Sequence, residues 1–135
     1  MIPWKTFGQE NFRWSVRLGN RLLWSADRED TAAHTVHGPL ALNHSEAGLI
    51  IQVTDKPESG SRPAWIRYFG LFDERDSEWL RVKDRNTLAV TSIFLKDFFR
   101  RRARLTVFSW VIPRDPRLAA QIRIRRVHLC SFVTD

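Results

Sequence analysis

Arginine is the residue whose chemistry is most concentrated in this chain. Between Lys96 and Arg126 lie ten basic residues, nine of them arginine (Arg100, Arg101, Arg102, Arg104, Arg114, Arg117, Arg123, Arg125 and Arg126), against two acids, Asp97 and Asp115. The first 95 residues carry twelve basic and twelve acidic side chains, so the net charge of +7 comes from the C-terminal third. A guanidinium presents a planar fork that grips phosphate or carboxylate oxygens two at a time and stacks on flat rings, which a solubilising surface of lysines does not do. The chemistry implied is recognition of a polyanion.

Aromatic and cationic residues are interleaved upstream. Strand parity places Trp65 and Arg67 on one face, with Ile66 and Tyr68 opposite as core. It likewise groups Trp79, Arg81 and Lys83, with Leu80 and Val82 as core. Exposed tryptophans beside cations make platforms on which unstacked bases lie, each worth about 1–3 kcal/mol. The expected nucleic-acid-binding set is therefore Arg100, Arg101, Arg104, Arg114, Arg117, Arg123, Arg125 and Arg126 with Trp65, Arg67, Trp79, Arg81 and Lys83. The same residues also suit a solvated face, a two-sided core and arginines guarding a sheet edge.

Other chemistries are poorly served. His34, His37 and His44 fall within eleven residues, but His-x-x-His supplies half of a closed zinc site and no second pair follows. Use of His37 and His44 as acid and base finds no supporting pattern. No Gly-rich phosphate loop, nucleophile elbow or dinucleotide fingerprint occurs, and the carboxylates of Asp73-Glu74-Arg75-Asp76 read as solvated ion pairs. The expectation is a non-enzymatic protein without metal or cofactor.

These side chains must be positioned by a mainly β chain. Apolar residues recur in short alternating runs separated by turn residues. Phe12, Trp14, Val16 and Leu18 form one such run, and Gly19-Asn20 turns it into a hairpin with Arg21–Ser25. A weaker strand covers His34–Leu42, ended or interrupted at Gly38-Pro39. Leu49–Thr54, Ala64–Phe72, Trp79–Lys83, Asn86–Thr91, Leu105–Ile112 and Ile122–Val133 follow. Asp55–Pro63 is the clearest loop and a candidate seam between subdomains of one domain spanning 1–135.

One amphipathic helix is expected at about Ser92–Arg102. Phe94, Leu95, Phe98 and Phe99 make its apolar stripe, Thr91 or Ser92 its cap, and arginines its last turn. Asp115-Pro116 predicts a single helical turn. In the last strand, Ile122 and Ile124 differ in parity from Val127 and Leu129, which predicts a β-bulge near Arg125-Arg126 with both arginines outward.

From Ala64 the order strand, strand, strand, helix, strand, strand is OB-like, and the strands before residue 55 exceed a minimal OB-fold. A single antiparallel barrel or a two-sheet sandwich carries this order equally well. The single cysteine, Cys130, excludes an internal disulfide and reads as a buried thiol. The opening residues MIPWKTFGQENFRW lack a signal-peptide core, and no run approaches the roughly twenty apolar residues of a membrane span, so the expected compartment is the cytoplasm. The functional expectation is low-specificity binding of single-stranded DNA or RNA along a C-terminal arginine stripe. The alternative is a structural, adaptor or inhibitor protein, of the kind found in phage, mobile-element or secretion machinery, that docks its arginines on an acidic protein surface.

Overall fold

The computed structural model describes residues 12–38, 48–55, 65–121 and 123–134. Most of the loop at Asp55–Pro63, His44 and Ile122 therefore lie outside the described residues. Within them the chain is mainly β, with strands β1 (Phe12–Leu18), β2 (Arg21–Ala26), β3 (Thr35–His37), β4 (Leu49–Asp55), β5 (Trp65–Phe72), β6 (Glu78–Lys83), β7 (Thr87–Val90), β8 (Arg104–Pro113) and β9 (Val127–Val133). Helices α1 (Ser92–Arg101) and α2 (Pro116–Ala119) flank β8. Two sheets result, β2-β1-β4-β7 and β3-β9-β8-β5-β6, and neither closes into a barrel. Each of these pairings is antiparallel except that of β3 with β9.

One buried cluster joins the sheets. Phe12, Trp14, Val16 and Leu18 of β1, Leu49, Ile51 and Val53 of β4, and Leu88 and Val90 of β7 supply one side. Phe69 and Leu71 of β5, Leu105 and Val107 of β8, and Val127, Leu129, Cys130 and Phe132 of β9 supply the other. The Trp14 indole N–H donates across the gap to the Leu129 carbonyl at 3.1 Å, so a large ring is buried without orphaning its donor. Burial pushes the Cys130 thiol well above its usual range, which keeps it a packing group.

Local signals produce the expected local structure. Gly19, at φ 62°, turns β1 into β2. Thr91 caps α1 by accepting from the Phe94 N–H at 3.1 Å, and Leu95 and Phe98 of the helix are buried. Asp115 caps α2 by accepting from the Arg117 N–H at 3.0 Å, with Pro116 in the first turn.

Three expectations need correction. The barrel alternative fails because β7 leaves the five-stranded sheet and pairs with β4. The last strand begins at Val127 rather than Ile122, and Ile124 is exposed. The phase break lies inside that strand: Val107 pairs with Cys130 and Phe108 with His128, so Leu129 is the extra residue and its side chain joins the core. Arg125 and Arg126 precede the strand and are exposed, as expected, but no bulge holds them there.

Candidate nucleic-acid interface

The five-stranded sheet is apolar on both faces, and its outer face carries the aromatic residues of interest. Once Phe69 and Leu71 enter the core, alternation turns Tyr68, Gly70 and Phe72 outward on β5, opposite Trp110, Phe108 and Thr106 of β8. Tyr68 stacks on Trp110 with ring centroids 5.6 Å apart and planes 3° from parallel. Phe72 leans on Trp110 at 6.5 Å and meets Phe108 edge-on at 5.6 Å. Gly70 makes this possible, because a Cβ there would come within 2.6 Å of Phe72 Cε1 and 2.9 Å of the Trp110 ring. Gly70→Ala is therefore expected to destabilise by about 1–3 kcal/mol through overpacking, read as a lower urea midpoint, with the Tyr68–Trp110 stack disturbed in near-ultraviolet circular dichroism.

Guanidinium groups lie over these rings. Arg81 sits 5.6 Å from the Trp110 ring, oriented by two bonds of 2.9 and 2.8 Å to Glu78. Arg126 sits 4.3 Å from Phe108 and 4.8 Å from Phe72, tethered to Asp76 at 3.2 and 3.4 Å. Exposed Lys83 pairs in register with Tyr68. Phe72 and Trp110 are largely shielded, so the half-buried Tyr68 and Phe108 and the arginine planes offer the accessible stacking surface.

Of the residues expected to form platforms, Arg81 and Lys83 are outward, whereas Trp65, Arg67 and Trp79 are not. The inward-facing set on β5 is Trp65, Arg67, Phe69 and Leu71, the reverse of the parity expected from Ile66 and Tyr68. Arg67 is buried, its guanidinium 4.6 Å from the Phe12 ring and donating to Ser109 Oγ at 2.9 Å. A register shift at Leu71/Phe72 sets Leu80 opposite Leu71 and Glu78 opposite Phe72, which leaves Trp79 as the extra residue. Its ring packs 4.9 Å from Phe98, its N–H donates to Asp73 Oδ2 at 2.9 Å, and Arg102 lies 5.6 Å over its ring. Trp79 is thus a packing residue.

Asp73 organises this corner. Its carboxylate also accepts from the backbone N–H groups of Arg75 and Ser77 at 2.9 and 3.0 Å and from Arg102 Nε at 2.9 Å. Burial alone would raise its pKa; the bonds from Trp79, Ser77, Arg75 and Arg102 outweigh it and hold the carboxyl at about 2. Because the folded value lies below the unfolded one, the resulting stability is complete above the ordinary value of 3.8 and is lost as pH falls towards 2. In urea unfolding across that window, wild type should lose its advantage over Asp73→Asn progressively. A constant gap down to pH 2 would contradict this role.

The arginines do not form a continuous stripe along a sheet edge. Strand β9 lies between β3 and β8, so it is not an edge strand. Arg104 opens β8 while Arg114 and Arg117 follow its far end, about 30 Å away at strand rise. Several cations are matched by acids from distant turns: Arg102 by Asp73, Arg114 by Asp84 at 2.7 Å, Arg125 by Glu29 at 2.6 Å and Arg126 by Asp76. Lys96, Arg100, Arg101, Arg104, Arg117 and Arg123 have no ion pair among the described residues, and all except half-buried Arg104 are exposed.

Sequence reasoning missed the outward roles of Tyr68, Phe72 and Phe108, and it missed His128 entirely. The run Leu105–Ile112, apolar on both parities apart from Thr106 and Ser109, was the available signal, since a strand with apolar residues on both faces covers something on each. His128 is buried, meets Phe108 edge-on at 5.9 Å and bonds Ser131 Oγ through Nε2 at 2.7 Å. Its backbone N–H donates to Glu29 at 2.6 Å, and burial pushes its pKa down against the opposing pull of Glu29. His34 stacks on Trp24 at 5.2 Å and His37 is exposed. No group of three potential metal ligands occurs among the described residues. The chain matches no family model, no curated protein and no solved structure.

Proposed function

We propose that the protein is a non-enzymatic, sandwich-type module that binds single-stranded DNA or RNA with low sequence specificity in the cytoplasm. The observation that carries this reading is the outer face of the five-stranded sheet, where Tyr68–Trp110 and Phe72–Phe108 are interleaved with the guanidinium groups of Arg81 and Arg126. Flat rings and flat cations suit unstacked bases, and the cations without ion pairs among the described residues (Arg100, Arg101, Arg104, Arg117 and Arg123) suit the phosphates on either side. The OB-like order after Ala64 supports the reading as an order of elements only, since β7 pairs in the other sheet.

Oligonucleotide binding measured across a salt series tests it. Affinity that falls linearly in log–log form with salt is expected, and no measurable binding at low salt would refute the proposal. The docking alternative is favoured by one feature, Ile93, which is 78% exposed on α1 in the same turn as Lys96. On that reading α1 meets an acidic protein surface with an apolar centre, and nucleic-acid affinity is absent.

A further inference from the structure

A cleft of about 260 Å³ opens beside the outer aromatic face. Its lining combines Phe72 and Phe108 of the aromatic face, the turn residues Asp73, Glu74 and Asp76, and Arg104, Thr106, His128 and Thr31. Its polar groups are unequally engaged. Asp73 is saturated by four donors, and Glu74 Oε1 accepts from the Ala103 N–H at 3.0 Å. Among the described residues the Asp76 carboxylate holds only Arg126, across a long contact between two exposed side chains that is weak in water. His128 is 6% exposed, and its Nδ1 has no hydrogen-bond partner among the described residues although Nε2 is satisfied. A buried ring nitrogen without a partner is costly, and a hydrogen-bonding ligand in the cleft would offset that cost.

Resting on the strand-binding reading above, we propose that this cleft seats one unstacked base bearing an exocyclic amino group, within an otherwise sequence-tolerant contact. The base lies on Phe108, where the Arg126 guanidinium now rests 4.3 Å from the ring centroid. Displacing Arg126 frees the Asp76 carboxylate to accept the amino N–H, as acidic side chains accept from cytosine N4. The freed arginine and Arg104 turn to the flanking phosphate. His128 supplies a hydrogen bond to the ring edge through Nδ1. Thymine has a carbonyl where cytosine has the amino group and would point an acceptor at a carboxylate, so the seat discriminates against it.

Cytosine and thymine homo-oligomers of equal length carry the same charge and therefore isolate the base. Wild type is expected to prefer the cytosine oligomer by about fivefold or more. Asp76 has φ 59°, which asparagine tolerates, so Asp76→Asn removes the carboxylate charge without straining the turn, and the preference should fall towards one. Phe108→Leu should weaken the cytosine oligomer more than the thymine one, because the cytosine base takes the seat on this ring. The imidazole nitrogen resonances of His128 should move on adding the cytosine oligomer and not the thymine one. Binding of both oligomers with equal affinity overturns the base seat and leaves the strand-binding reading standing. A preference that survives in Asp76→Asn also overturns the seat. Binding of neither overturns both.

Discussion

Replacing Phe98 with alanine is expected to destabilise the protein by about 3–5 kcal/mol, a large part of the stability of a domain this size. Phe98 is fully buried, and it links α1 to the rest of the molecule. Trp79 meets it edge-on at 4.9 Å, Phe99 at 5.0 Å, and Phe94 stacks at 6.3 Å. The cavity left by truncation would lie among rigid rings that relax poorly, which puts the cost at the upper end of large-to-small changes. Urea unfolding should show a lower midpoint with an unchanged slope. Because Trp79 also donates to Asp73, its fluorescence should report the transition at the same denaturant concentration as circular dichroism. A change below about 1 kcal/mol would mean that Phe98 does not anchor α1 to the sheets.

Changing Arg100, Arg101, Arg117 and Arg123 together to glutamine should abolish most oligonucleotide affinity while leaving stability nearly unchanged. All four are exposed and have no ion pair among the described residues, so removing their charge strands no buried carboxylate. Every phosphate-binding cation removed should flatten the log–log salt dependence by about 0.7 on single strands, or about 3 for the four. Arg102 and Arg125 are unsuitable for this test. Arg102 neutralises buried Asp73, and Arg125 pairs with the Glu29 that also receives the His128 backbone N–H, so changing either perturbs the fold. Unchanged affinity and slope in the quadruple variant would remove the phosphate-tracking role and move the case to protein docking.

These two effects arise at different levels of the molecule. The packing of Phe98 follows from a stripe within ten residues of chain, whereas the availability of an arginine for phosphate depends on which distant acids claim its neighbours. Segregation of charge along the sequence overstates its segregation in space. Glu29, Asp73, Asp76 and Asp84 all come from the part of the chain that is neutral by count, yet each reaches an arginine of the C-terminal third.

What depends on near neighbours was legible in the amino-acid sequence. The Gly19 turn, the Thr91 cap and apolar stripe of α1, the Asp115-Pro116 turn and the buried Cys130 all follow from it, because capping, backbone freedom and helical periodicity act over a few residues. Long-range pairing determined the rest. Strand β3 runs parallel to β9 and removes it from the sheet edge; β7 crosses to the other sheet; single-residue bulges turn Trp79 and Leu129 inward. Alternation says which residues share a face, but where both faces are apolar, as on β5 and β8, it does not say which face meets the core. Only the partner strand and its register settle that, since a shift of one residue sends every side chain to the opposite side.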